Sequence, residues 1–84
     1  MIYRIIFTDR ALQDLNNIDK KVKNRMAVKL KDYSVDPLKH ARKLVDPKIG
    51  TYRFRIGDYR VVFDIDNKSI VILRIGHRKD IYKS

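Results

Sequence analysis

Residues 50–63 read GTYRFRIGDYRVVF, and their alternation decides the fold. Tyr52, Phe54 and Ile56 alternate with Thr51, Arg53 and Arg55; after Gly57-Asp58, Tyr59, Val61 and Phe63 alternate with Arg60 and Val62. A period of two on both sides of a turn predicts paired strands with one apolar face. Gly-Asp suits a two-residue type II′ turn, in which glycine takes the first central position. Closing the hairpin there sets Ile56 opposite Tyr59 and Arg55 opposite Arg60, with Arg53 on the same face. Like charges directly opposite each other destabilise a strand pair. A nucleic-acid phosphate lying over the guanidinium groups would relieve the repulsion through charge and bidentate hydrogen bonds. The alternative is that the arginines splay into solvent, screened by salt, with Asp64 as a partial counterion.

Downstream, DIDNKS makes the next turn and IVILRI the last strand. A three-residue loop over 66–68 would put Arg74 beside Arg60, whereas a two-residue loop reverses the parity, and the residues fit either. Gly76 breaks the strand, and HRKDIYKS forms a short tail that gathers His77, Arg78, Asp80 and Tyr82. A histidine and a tyrosine beside several arginines suit a proton-transfer site next to an anion site. A terminal tyrosine is equally common as a packing residue.

Upstream, residues 2–7 (IYRIIF) are branched and aromatic and predict a strand, ended by Thr8 as a helix N-cap. Ala11, Leu12, Leu15 and Ile18 recur at helical spacing. Asp19 caps a second helix with Val22, Met26, Leu30 and Tyr33 in one apolar stripe. Its remaining surface is basic: Lys20, Lys21, Lys23, Arg25, Lys29 and Lys31, which reads as a solvated face or a phosphate-contacting one. Asp36-Pro37 stops that helix, and 38–48 has no sustained period. It reads as an irregular connection docking Leu44 and Val45, with His40 on the surface. The order of elements predicts one α+β domain over residues 1–84: an N-terminal strand, two helices, then a three-stranded antiparallel meander completing a sheet covered on one face.

At 84 residues the chain buries only about 60% of its unfolded surface, so the core is thin. Twenty lysines and arginines against ten acids give a net charge of +10, a field that selects polyanions as partners. The chain has no cysteine, which removes disulfides, thiolate metal sites and a cysteine nucleophile. Glutamate is also absent, and the two histidines have no ligand-spaced partner, so neither paired-carboxylate chemistry nor a metal site is expected. Ser34, Ser69 and Ser84 lack a nucleophile-elbow context. No run approaches membrane-spanning length and charges come too early for a signal peptide, so the expected compartment is the cytoplasm.

YRIIFTDRALQDLNNIDKKVKNRM, then KL, YRFRIGDYRVVFDID and VILRIGHRKDIY, together resemble the RelE/ParE superfamily of toxins from type II toxin–antitoxin pairs. The resemblance runs along nearly the whole chain and is most specific in the hairpin and the GHRKDIY end. It implies a small RNase-like α+β fold. For the RelE branch it also implies metal-independent, cofactor-free cleavage of mRNA on the ribosome, the ribose 2′-hydroxyl attacking the adjacent phosphate. Carried over by position, Arg53 and Arg55 stand where the family has basic residues on the first hairpin strand, and Arg60 matches the strand arginine. Arg78 matches the basic residue after the last strand, Tyr82 the terminal tyrosine, and His77 a position where some relatives use histidine. Some members have lysine where this chain has Arg53 and Arg55, and arginine is a poor general base. His77 is therefore the expected base or acid, with Arg53, Arg55, Arg60 and Arg78 on the phosphate and Tyr82 stacking on or orienting a base. The implied partners are an acidic antitoxin, forming a higher-order complex with an otherwise monomeric toxin, and mRNA on the ribosome with rRNA contacts; a membrane is not among them. The ParE branch, which inhibits DNA gyrase, and a basic binding module without chemistry are the alternatives.

Overall fold

In the computed structural model, which describes residues 2–44 and 50–81, the first strand, β1 (Arg4–Phe7), hands over directly to a helix at Thr8. The Thr8 hydroxyl accepts from the Ala11 N–H (3.2 Å) and donates to the Ile72 carbonyl (3.0 Å), so one side chain both caps α1 (Asp9–Asn16) and pins its start to the last strand. Asp19 caps α2 (Lys20–Tyr33) through the Lys21 N–H, 3.1 Å away. The end of α2 returns to the sheet, where the Ser34 carbonyl accepts from the Tyr3 N–H at 2.9 Å.

The described part of the stretch 38–48, expected to be irregular, instead contributes to a one-turn helix α3 (Pro37–His40) and forms a strand β2 (Ala41–Lys43). Proline stands at the first helical turn, where its missing N–H costs nothing. His40 is exposed, as expected, and stacks on Tyr33 at 4.4 Å. Leu44 is half-buried, while Val45 lies outside the described residues.

The remaining strands are β3 (Tyr52–Ile56), β4 (Tyr59–Asp66) and β5 (Ser69–His77). They make a mixed five-stranded sheet of order β1-β5-β4-β3-β2, in which β1 runs parallel to β5 and the other neighbours are antiparallel. The first hairpin closes as expected, Ile56 opposite Tyr59 and Arg55 opposite Arg60. Gly57 takes φ +59° and Asn67 is the one non-glycine at positive φ among the described residues, so the turn has the type II′ pattern. The second loop has two residues, Asn67 and Lys68, since Asp66 faces Ser69. A bulge follows, with Val62 opposite Arg74 but Phe63 opposite Ile72, leaving Leu73 as the extra residue. Parity therefore flips along the strand: Arg74 shares the face of Arg60, but Gly76 is the residue opposite Arg60.

Both long helices pack on one face. Ala11, Met26 and Leu30 meet Phe54, Ile56, Val61, Phe63, Ile70, Ile72 and Ile75, with Phe54 and Phe63 stacked at 4.2 Å. The other face carries a smaller apolar plug at the bulge, where Gly50 lies against Val62 and Leu73. A Cβ on Gly50 would fall 2.4 Å from Cγ1 of the fully buried Val62. Gly50→Ala should therefore destabilise the fold by about 1–3 kcal/mol, by overpacking. The check is a lowered urea midpoint at unchanged m-value; an unaltered midpoint would show that the plug yields freely.

Candidate nucleic-acid interface

Residues directly opposite across antiparallel strands share a face, so the register locates the arginines without further assumption. Arg42, Arg53, Val62 and Arg74 form one row across β2, β3, β4 and β5; Arg55, Arg60 and Gly76 form the next. The residues alternating with them, Phe54, Val61 and Ile75, belong to the helix-covered core. Both rows therefore lie on the face that α1 and α2 leave open.

The charges on this face are not equivalent. Arg60 is only 8% exposed, and its Nη1 donates to the carbonyls of Gly57 (3.1 Å) and Tyr59 (2.9 Å). Its guanidinium thus folds back under the hairpin turn, which eases the repulsion with exposed Arg55 opposite. Arg74 turns to the sheet edge, where Nε donates to Asp14 at 2.9 Å; the same carboxylate accepts from the Ile75 N–H at 3.0 Å. β1 pairs β5 only as far as Ile72, so Asp14 takes over as the neighbour of the unpaired edge beyond it. Arg42 and Arg55 are exposed and Arg53 half-buried, and among the described residues none of the three meets a carboxylate. Asp64, the expected counterion, instead accepts from the Thr51 N–H at 2.7 Å.

The tail approaches this face from the end of β5. The Arg78 N–H donates to the Asp58 carbonyl at 2.8 Å, and its Nε lies 4.0 Å from the Asp58 carboxylate, so exposed Arg78 sits at the hairpin tip. Ile81 is buried against Gly76, where an added Cβ would meet Ile81 Cδ1 at 3.0 Å. His77 is placed differently. It stands opposite Tyr59, edge-on to that ring at 5.6 Å, on the helix side of the sheet. Its Nδ1 accepts from the Lys79 N–H at 3.2 Å, which makes the neutral ring the Nε2–H tautomer. It borders an open recess of about 260 Å³ with Asp14, Asn17, Tyr59 and Asp80. Tyr82 lies outside the described residues.

Of the residues singled out in the sequence, the fold thus gathers Arg53, Arg55 and Arg60 on one face and places Arg78 at its rim, while the His77 ring is directed away from it. Sequence reasoning missed Arg42, which stands in a three-residue strand with no period of its own, and Asp14, for which no signal existed. Chemically, Arg42, Arg53 and Arg55 can hold an extended anion but cannot take up a proton.

The chain was compared with known proteins. The family described as the ParE toxin of the type II toxin–antitoxin system, parDE, matches residues 5–82. The chain is 34% identical over 86 residues to Toxin RelG of Mycobacterium tuberculosis, covering 99% of each. Among solved structures it is similar to the toxin–antitoxin complex RelBE2 of M. tuberculosis, with a TM-score of 0.80 at 32% identity over 93% of this chain and 100% of that one. It is also similar to the archaeal RelE–RelB complex of Pyrococcus horikoshii, with a TM-score of 0.76 at 25% identity over 95% of this chain and 99% of that one.

Proposed function

Because the chain belongs to the RelE/ParE family of type II toxin–antitoxin toxins, we propose that it is a ribosome-dependent mRNA endonuclease whose phosphate-binding surface is the open sheet face. The observation that carries this reading is the group of cations Arg42, Arg53 and Arg55, in two adjacent rows on the sheet face that α1 and α2 leave open and without carboxylate partners among the described residues. A 2′-hydroxyl attacking the next phosphate builds negative charge on the non-bridging oxygens, and guanidinium groups fixed on strands stabilise that charge without reorganising. Arg78, beside Asp58 at the hairpin tip, reaches the same substrate from the tail side. An acidic antitoxin covers the same face and neutralises it, in keeping with the toxin–antitoxin complexes among the similar structures.

His77 acts by positioning in this proposal. Its ring lies across the sheet from the arginines, while its Nδ1 and carbonyl hold the turn that carries Arg78 and leads to Tyr82. Proton transfer then falls to Tyr82 or to solvent. His77→Ala is expected to slow cleavage about tenfold, within the usual effect of a displaced positioning group, with both limbs of the pH–rate profile retained. Loss of about a thousandfold together with one limb of the pH–rate profile would instead make His77 the proton carrier.

The test of the function itself is mapping of mRNA 5′ ends in translating extract. New ends at codon positions, present with wild type and absent with Arg55→Ala, support cleavage. Intact message together with blocked gyrase supercoiling would replace the reading with the ParE one.

A further inference from the structure

β1 leaves β5 at Ile72, so from Leu73 onward β5 is the edge of the sheet. α1 runs beside that edge, its start pinned to the Ile72 carbonyl by Thr8. The helix from Thr8 to Asp14 rises by about 9 Å and the strand from Ile72 to Ile75 by about 10 Å, so Asp14 arrives level with Ile75. Its Oδ2 accepts there from the Ile75 N–H and from Arg74 Nε, while exposed Arg10 stands 3.6 Å from Oδ1. One carboxylate between two arginines leaves the group net positive. The Asp14 side chain is 14% exposed and that of Arg74 31%, so the anchor is sunk and the cation is still accessible. Only Nε of Arg74 is engaged: among the described residues its two Nη groups have no acceptor. The end-on fork that matches a phosphate is therefore complete. A cation already held by a carboxylate also loses less rotamer freedom on binding than one free in solvent.

Arg74 ends a row that begins at the opposite edge. Arg42, Arg53, Val62 and Arg74 cross the open face from β2 to β5, about 14 Å at ordinary strand spacing, which accommodates a few nucleotides. We infer that Arg74 is the phosphate contact of the message where it leaves the sheet over the β5 edge, with Asp14 as the positioning residue that holds its guanidinium. This rests on the proposed cleavage of message on the open face and extends its path to the second edge.

The test is binding to ribosomes programmed with a message whose codon carries 2′-O-methyl groups, which blocks the attacking hydroxyl, at a temperature well below every variant's thermal midpoint. Arg74→Gln should weaken binding about tenfold, the usual effect of losing a charge-assisted contact, and make log K against log salt less steep by about 0.7. On vacant ribosomes the same variant should bind as wild type does. Arg74→Lys should keep the slope and lose part of the affinity, since the charge stays and the fork goes. Asp14→Asn, whose amide oxygen can still accept from the Ile75 N–H, should weaken binding about threefold alone and have no effect in the Arg74→Gln background. Wild-type affinity and slope in Arg74→Gln overturn the inference and leave the cleavage reading standing. Weaker binding at an unchanged slope also overturns it, because the arginine then acts through the fold. An equal loss on vacant ribosomes assigns the contact to ribosomal RNA, and the inference fails. Message-dependent binding through Arg74, with unmodified message left intact, keeps the contact and removes the cleavage.

Discussion

Alanine at Arg55 should lower the rate of message cleavage by about 10²–10³-fold, the usual cost of removing one preorganised donor to a developing oxyanion, and should leave the fold intact. The side chain is exposed, has no carboxylate partner among the described residues, and faces Arg60 across the hairpin. Removing it relieves a like-charge pair, so stability should hold or rise by a few tenths of a kcal/mol. Arg53→Ala should give a similar loss of rate with a small loss of stability, because this residue is half-buried and its stem packs. Lysine at 55 should recover part of the rate, keeping the charge but not the two-pronged geometry. Single-turnover rates and urea midpoints measured on the same preparations decide the matter. A loss seen only in KM would mean that Arg55 binds the message without acting in the transition state, and an unchanged rate would remove the open face from the mechanism.

How far such effects can be read from sequence depends on the range of the interaction that sets them. The caps at Thr8 and Asp19 and the turn at Gly57-Asp58 are decided within three or four residues, and all three form as their residues predict. β2 was not legible because three residues, two of them basic, hold no period of their own; its partner β3 stabilises it from a distance in sequence. The face taken by His77 depends on a two-residue loop combined with a bulge at Leu73, and the sequence marks the bulge nowhere. The Arg53, Arg55 and Arg60 cluster was legible as a set, since parity alone puts all three on one side. Their division of labour was not, because nothing in the letters YRFRIGDYR separates a buried arginine from an exposed one.

That division predicts that Arg60→Ala fails first as a folded protein. At 8% exposure its guanidinium sits under the hairpin turn, with Nη1 hydrogen-bonded to the Gly57 and Tyr59 carbonyls. Deleting it removes charge-assisted bonds and leaves a void beside the turn, for an expected cost of about 3–4 kcal/mol. Against a typical stability of about 5–15 kcal/mol, a domain of this size then approaches the point where a measurable fraction is unfolded at working temperature. Activity lost in Arg60→Ala therefore reports the loss of a supported hairpin, which also carries Arg55 and, through Asp58, Arg78. Urea denaturation separates this from chemistry: the midpoint should drop sharply for Arg60→Ala and stay level for Arg55→Ala, whereas cleavage falls in both. Assayed at a temperature where both variants are folded, Arg60→Ala should regain much of its deficit and Arg55→Ala none. A wild-type midpoint in Arg60→Ala would return this arginine to the phosphate, as a catalytic cation equal to its neighbours.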